Sequence, residues 1–358
     1  MKKWEENIRK VVPYTPGEQP KHSGMIKLNT NENPYPPAPG VYRALEGLKA
    51  DPFRLYPDPT ASLLVEALAE AYHRPAEQFF VGVGSDDVIA MAFQTFFHSG
   101  KPILFPDITY SFYRVWADLF QIPYVQPALD TDFRIVKEDY FRENGGIIFP
   151  NPNAPTGIYM GLEEVEEIVR HNQDVIVIVD EAYVDFAGSS AMELVDRYDN
   201  LLVVQTFSKS RSMAGMRIGF AVGNPDLIQY LNDVKYSFNS YTMNLPSLIM
   251  GAAAVKEEGY FRETLQKIVA TRERTKKELR KMGFIFPDSQ ANFIFASHET
   301  CPARELFEAL KEKHIYVRYF NTPGIDNYLR ITVGTDAEMD ALLTFLKEYL
   351  DRRKDKVL

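Results

Sequence analysis

The sequence predicts an α/β protein with a mostly parallel central sheet, together with a smaller α+β lobe. Three observations carry that expectation. Short, continuous apolar runs alternate with helical stretches between residues 79 and 223, as in parallel strands covered on both faces by helices. From residue 259 the texture changes to a long charged helix, three strands and a closing helix, an order that suggests a second lobe. The length of 358 residues gives a prior of about two domains.

The elements follow in chain order. VVPYTPGEQP and NTNENPYPPAPG are rich in Pro, Asn and Gly, the punctuation of an irregular arm over a surface. Residues 60–75 read as a helix, with Leu63, Leu64, Ala67, Leu68 and Ala71 at three-to-four spacing. FFVGVGS (79–85) is a strand closed by Gly-Ser, and DDVIAMAFQTFF a helix whose first turn is acidic. PILFP (102–106) and GGIIFPNPN (145–153) are strands. LEEVEEIVRHN (162–172) is an amphipathic helix, and VIVIVDEAY (175–183) a β-branched strand. LLVVQTFS (201–208) and RIGFAVG (217–223) complete the set. The second of these follows too closely for a helical crossover, so one antiparallel strand is expected. Beyond 259 come a charged helix, strands at NFIFAS, HIYVRYF and YLRITVG, and a helix from Ala337 to about Arg352. Two lobes joined by a long helix leave a cleft between them, the usual place for a ligand.

Composition excludes several classes. Hydrophobic residues make up 45% and charged residues 25%, a globular mix that can bury a core. The longest aliphatic run, 175–179, is far short of the ~20 residues of a membrane span. MKKWEENIRK has basic residues with no apolar stretch behind them, and Cys301 is the single cysteine, so the expected compartment is reducing cytoplasm. Forty basic against 49 acidic residues give a net charge of −9, the wrong sign for a protein that works on phosphodiester backbones. No nucleic acid, membrane or metal is expected as a partner. The 20 Tyr and 24 Phe read first as core and interface material.

Four features sit at the C-terminal ends of expected strands, where ligands bind in open α/β sheets. Gly84-Ser85-Asp86 is a strand-to-helix turn whose free N–H groups can hold an anion. NPNAPTG (151–157) is a rigid, Asn-bearing loop. Asp180 ends a buried strand, where a carboxylate needs a partner. TFSKSRSMAGMRIGF (206–220) puts Lys209 just after a strand, Ser208 beside it and Arg217 eight positions on. Alone, each has a bland reading as a cap, a loop or a surface charge. Together they have a chemical logic. Lysine amines form Schiff bases with carbonyls. A pyridoxal phosphate site also needs an acid at the pyridine nitrogen, donors at the ring oxygen and an anion site. Lys209 fits the first role and Asp180 the second. Asn153 and Tyr183 fit the third, and Gly84-Ser85-Asp86, Ser208 and Arg217 the last.

On these motifs the chain resembles the fold-type I pyridoxal phosphate aminotransferases, and among them the histidinol-phosphate branch. The resemblance spans nearly the whole chain through PYTPGE (13–18), KLNTNENPYP (27–36), YPDP (56–59), NPNAPTG, DEAYVDF (180–186), SKSRSMAGMRIG (208–219) and YVRYFNTPGIDNYLRITVGT (316–335). It implies that Lys209, Asp180 and Tyr183 are catalytic, with Lys209 holding pyridoxal phosphate covalently. Asp180 would face the pyridine nitrogen, and Asn153 and Tyr183 the ring oxygen. Ser208, Arg217 and the amides of Ser85 and Asp86 would hold the phosphate. Tyr110 would stack on the ring, and Tyr56 would reach a partner subunit's cofactor in a homodimer. Arg330, Arg318 and Tyr14 would hold the anionic ends of substrates. The implied organisation is an N-terminal arm with part of the small domain over 1–45, a large cofactor domain over 46–258, and a small domain over 259–358. The implied reaction exchanges the amino group between histidinol phosphate and glutamate/2-oxoglutarate. An aromatic amino acid aminotransferase or a threonine-phosphate decarboxylase would share most of these motifs. A rival of another class is a non-catalytic, cofactor-binding regulator. Arg211 departs from the small or aromatic residue that many relatives carry there, and it lies outside these roles.

Overall fold

Strands Ile147–Pro150, Val177–Asp180 and Leu201–Thr206 contain no exposed residue. Their period-two alternation serves two separate cores. Ile147, Phe149, Val177, Val179 and Val203 pack on one face, and Ile148, Ile178, Leu202 and Val204 on the other. Burying each such side chain contributes about 1.5–3 kcal/mol, so a strand apolar on both faces is held from both sides. A computed structural model describes residues 2–21 and 23–357 of the chain.

Among the described residues the large sheet has seven strands in the order Phe79–Gly82, Gly219–Gly223, Leu201–Thr206, Val177–Asp180, Ile147–Pro150, Ile103–Leu104, Tyr124–Val125. From Leu201–Thr206 to Tyr124–Val125 every pairing is parallel. Gly219–Gly223 runs antiparallel to both of its neighbours, as its short connection requires. Register puts Pro150 beside Asp180 and Asp180 beside Val204, so adjacent strands end at one level.

A second sheet has the order Ile26–Leu28, Ile315–Tyr319, Leu329–Thr332, Phe293–His298, Phe284–Ile285. Its first pairing is parallel and the others antiparallel. Ile26–Leu28 and the start of the helix Pro39–Glu46 lie in the first 40 residues, the stretch expected to be irregular. A three-residue strand has no periodicity of its own, and its partner is nearly 290 residues away, Ile26 opposite Ile315. Proline opens the helix at its first position, where the missing N–H costs nothing. Pro225 opens Pro225–Phe238 in the same way and Pro246 takes the second position of Leu245–Val255, two helices the apolar pattern did not single out. The expected strand 175–183 stops at Asp180, because the Ala182 N–H turns back onto the Asp180 carboxylate at 3.2 Å.

The long helix Glu258–Lys281 buries Thr264, Ile268, Thr271, Thr275 and Leu279, a stripe at helical spacing. Ile268 joins Tyr183, Phe186, Ala291, Phe293 and Val333 in a small core between the two sheets. Tyr183 is therefore packed by the long helix and by Phe293 of the second sheet. No described helix is long and apolar enough to cross a membrane.

Candidate active site

The strand Leu201–Thr206 delivers Lys209 to the end of the sheet. Its amine donates to the carbonyl oxygen of Thr30 at 3.0 Å and lies 5.8 Å from the centre of the Tyr183 ring. The lysine's own turn is held from outside. Asn33 donates to the carbonyl oxygens of Lys209 at 3.1 Å and Ser210 at 3.0 Å, and the Ser210 hydroxyl donates to Asp185 at 2.5 Å.

One strand over, Asp180 is 4% exposed. Burial pushes its carboxyl up to about 6, against the pull of the Tyr113 hydroxyl and the Ala182 N–H. The Tyr113 bond is 2.7 Å. Tyr113 was not singled out among the crowded aromatics of PDITYSFY, although it is the fully buried one that reaches the acid.

The anion cluster forms where two strands and a helix start meet. Arg217 donates to the Ser208 hydroxyl at 3.3 Å and to Asp86 at 3.1 Å. Thr206, absent from the sequence expectations, donates to the same Ser208 oxygen at 3.0 Å. The helix Ser85–Phe96 begins here, with Asp86 in its first turn. Gly84 precedes it at φ +84°, and a Cβ there would stand 2.4 Å from the Arg217 guanidinium. A Cβ on Gly219 would stand 2.3 Å from the backbone of Gly84 and Ser85. Both glycines leave the space in which the turn, the strand and Arg217 meet.

Tyr110 donates to the other oxygen of Asp86 at 2.8 Å, and its ring meets Tyr113 edge-on at 5.7 Å. Tyr14 stacks on Phe112 at 4.3 Å and lies 6.5 Å from Tyr110, so the N-terminal arm folds against the aromatic group beside the site. Asn153 is fully engaged. It donates to the Ile108 carbonyl at 3.0 Å and to Thr156 at 3.2 Å, and accepts from Thr109 at 3.0 Å. A new acceptor at Asn153 would displace one of these partners.

The second sheet supplies the positive charges. Arg318 and Arg330 are direct cross-strand partners, side by side on one face. Among the described residues, no carboxylate lies within ion-pair distance of either. Arg330 donates to the Asn29 carbonyl at 3.0 Å and lies over Phe293 and Phe320 at 5.5 and 5.7 Å, while its buried Nε has no partner among the described residues. Burial, then the neighbouring Arg318 charge, holds its pKa below the usual arginine value. Two adjacent guanidinium groups without a counter-ion suit an anionic ligand.

Tyr56 is not brought to this site within its own chain. It is 81% exposed and stacks on Tyr241 at 4.6 Å. Arg211 turns away as well, over Phe261 at 4.1 Å. Sequence reading also gave no roles to Thr30, Asn31 and Asn33. The asparagine-rich string NTNENP was the available signal.

An amine, a buried acid, a hydroxyl, an aromatic ring and an anion cluster thus gather at one sheet end, and this donor set fits pyridoxal phosphate. Among the described residues, no group of His, Cys, Asp and Glu could hold a metal ion. Fold and site define a class I and II aminotransferase: the chain belongs to that family, whose model matches residues 23–346. Within it, the chain is similar to the histidinol-phosphate aminotransferases. It is 50% identical over 351 residues to the one of Lactococcus lactis subsp. cremoris, covering 98% of this chain and 99% of the relative. It is 51% identical to that of Brachyspira hyodysenteriae, covering 96% and 97%. The solved histidinol-phosphate aminotransferase of Sinorhizobium meliloti, in complex with pyridoxal-5'-phosphate, shares the fold with a TM-score of 0.84 at 23% identity, covering 91% of each chain.

Proposed function

We propose that this chain is a pyridoxal phosphate-dependent aminotransferase that moves the amino group of L-histidinol phosphate to 2-oxoglutarate. The products are imidazole-acetol phosphate and glutamate, a step of histidine biosynthesis. The observation that carries the proposal is the setting of Lys209. Its amine stands at a sheet end, 5.8 Å from the centre of the Tyr183 ring and one strand over from the buried Asp180, and the second sheet carries the paired arginines.

When bound, pyridoxal phosphate supplies an electron sink that makes the substrate carbon bearing nitrogen acidic. The residues do the rest. Lys209 takes the proton from that carbon and returns it elsewhere as a general base and acid. Asp180, buried and held by Tyr113, would keep a proton on the pyridine nitrogen. Tyr183 and Asn153 would bond the ring oxygen, Asn153 by giving up one of its present partners. Ser208, Arg217 and the amides of Ser85 and Asp86 would hold the phosphate at the helix start. Tyr110 would stack on the ring. Arg330 and Arg318, with Tyr14, take the anionic end of each substrate, a phosphate ester in one half-reaction and a carboxylate in the other.

The protein acts as a cytoplasmic homodimer in this reading. Phe53, Leu55, Tyr56, Phe238 and Tyr241 are exposed, and Tyr56 and Tyr241 are stacked. Exposed apolar side chains of this kind suit a second copy of the chain, and that copy would present its Tyr56 to this site.

Steady-state rates on L-histidinol phosphate, L-phenylalanine and L-threonine phosphate test the substrate. We expect the highest kcat/KM with histidinol phosphate. A higher value with phenylalanine, or release of carbon dioxide from threonine phosphate, would overturn it.

A further inference from the structure

Segment 29–33 touches the site at four residues. The Asn29 carbonyl accepts from Arg330, the Thr30 carbonyl accepts from Lys209, Asn31 donates to Tyr183, and Asn33 donates to the lysine turn. Asn31 is the most constrained of them. It is 1% exposed and sits at φ +57°, in the left-handed region that Asn tolerates better than most residues.

Its hydrogen bonds fix which way its amide points. The Asn31 N–H donates to the Thr332 hydroxyl oxygen at 3.0 Å. That oxygen is then an acceptor, and its own hydrogen goes to Asn31 Oδ1 at 3.0 Å. With Oδ1 taken, Nδ2 faces Tyr183 and donates to its hydroxyl at 2.9 Å. Asn292 closes the arrangement by donating to the Asn31 carbonyl at 2.9 Å. A tyrosine hydroxyl that receives a hydrogen on its oxygen sends its own hydrogen elsewhere.

We propose that Asn31 is a positioning residue: by donating to the Tyr183 hydroxyl, it aims that hydroxyl's hydrogen at the ring oxygen of pyridoxal phosphate. The inference rests on the cofactor reading above. Thr332 and Asn292, from the second sheet and the turn before it, hold the orientation. A hydrogen donated to the ring oxygen favours the state in which that oxygen carries full negative charge. It therefore holds down the pH midpoint at which the bound cofactor's visible absorption changes.

The test is a pH titration of that absorption in four holoproteins: parent, Asn31→Asp, Tyr183→Phe and the double variant. Aspartate keeps the shape, the left-handed backbone and the acceptor for Thr332, but replaces the donor facing Tyr183 with an acceptor. Each single variant should raise the midpoint by about 1 pH unit, and the double variant should match Tyr183→Phe. Either of two results with Asn31→Asp would overturn the inference. In one, Tyr183→Phe shifts the midpoint and Asn31→Asp does not. In the other, the Asn31→Asp shift is undiminished in the Tyr183→Phe background, so that the added charge acts alone. If Tyr183→Phe leaves the midpoint unchanged, the role of Tyr183 falls and the inference with it. If the parent takes up no pyridoxal phosphate, the cofactor reading itself is what fails. Thr332→Val provides a second route should Asn31→Asp fold poorly. It should move the midpoint the same way, Thr332→Ser should restore it, and an unmoved midpoint in Thr332→Val would count against the inference.

Discussion

The side-chain amine of Lys209 donates to the main-chain carbonyl of Thr30 at 3.0 Å, across 179 residues of sequence. The N-terminal segment therefore defines where the amine rests. Replacing Lys209 with Ala removes the amine and keeps the turn, whose carbonyls are held by Asn33. Transamination should fall by about 10³-fold or more. Borohydride should no longer fix pyridoxal phosphate to the protein. Retained activity in Lys209→Ala would remove the residue from the chemistry.

Arg330 is half-buried, its Nε has no partner among the described residues, and it lies next to Arg318. Arg330→Ala should lower kcat/KM by about 100-fold for both histidinol phosphate and 2-oxoglutarate, the loss of a charge-assisted pair. Arg330→Lys should recover little, because a point charge cannot reproduce the two-pronged guanidinium. An unchanged kcat/KM in the Ala variant would assign the anion to another group.

Asp180 gives a pH dependence with a definite sign. Burial raises its carboxyl from 3.8 to about 6 in the folded chain. The folded state therefore holds that proton more tightly than the unfolded state does. Ionisation costs stability, with no cost below about pH 4 and the full cost above about pH 6, of order 1–3 kcal/mol. Cofactor-free Asp180→Asn should accordingly be more stable than the cofactor-free parent at pH 8. The advantage should shrink as the pH falls toward 4, as followed by denaturant unfolding. The same variant should bind pyridoxal phosphate more weakly.

Gly219 packs against the turn that starts the helix Ser85–Phe96. A methyl group there meets backbone, which cannot swing aside. Gly219→Ala should lose about 1–3 kcal/mol of stability and weaken cofactor binding by displacing the Ser85 and Asp86 amides. Equilibrium dialysis of the folded variant checks the second effect. Parent-like affinity would detach this turn from the phosphate.

Much of this site was legible because its parts sit at strand ends. A strand that is apolar on both faces and then breaks at Asp180 or at Ser208-Lys209 announces itself locally. The network around Asn31 gives no such notice. Its partners Tyr183 and Thr332 lie 152 and 301 residues away, and the strand before it has only three residues. The arginines are intermediate. Alternation puts Leu329 and Ile331 on one face and Arg330 on the other, but only the antiparallel register brings Arg318 alongside. Tyr113 was hidden among neighbouring aromatics, and its role follows from a 2.7 Å contact that no spacing rule predicts.

Tyr56, exposed on its own chain, allows a test by mixing. Lys209→Ala and Tyr56→Ala should each be weakly active. Subunits exchanged between them should regain activity, since one site of each mixed dimer then has both residues intact. Absence of recovery in demonstrated mixed dimers would leave Tyr56 outside the partner's site.

The reaction proposed for this chain moves an amino group from L-histidinol phosphate onto pyridoxal phosphate beside Lys209. A single turnover shows whether it occurs. Holoenzyme is mixed with L-histidinol phosphate without 2-oxoglutarate, and the visible absorption and the released carbonyl compound are followed together. The band should be lost and one equivalent of imidazole-acetol phosphate should appear per site, with the band restored on adding 2-oxoglutarate. A band that stays unchanged, with no carbonyl product, would contradict it.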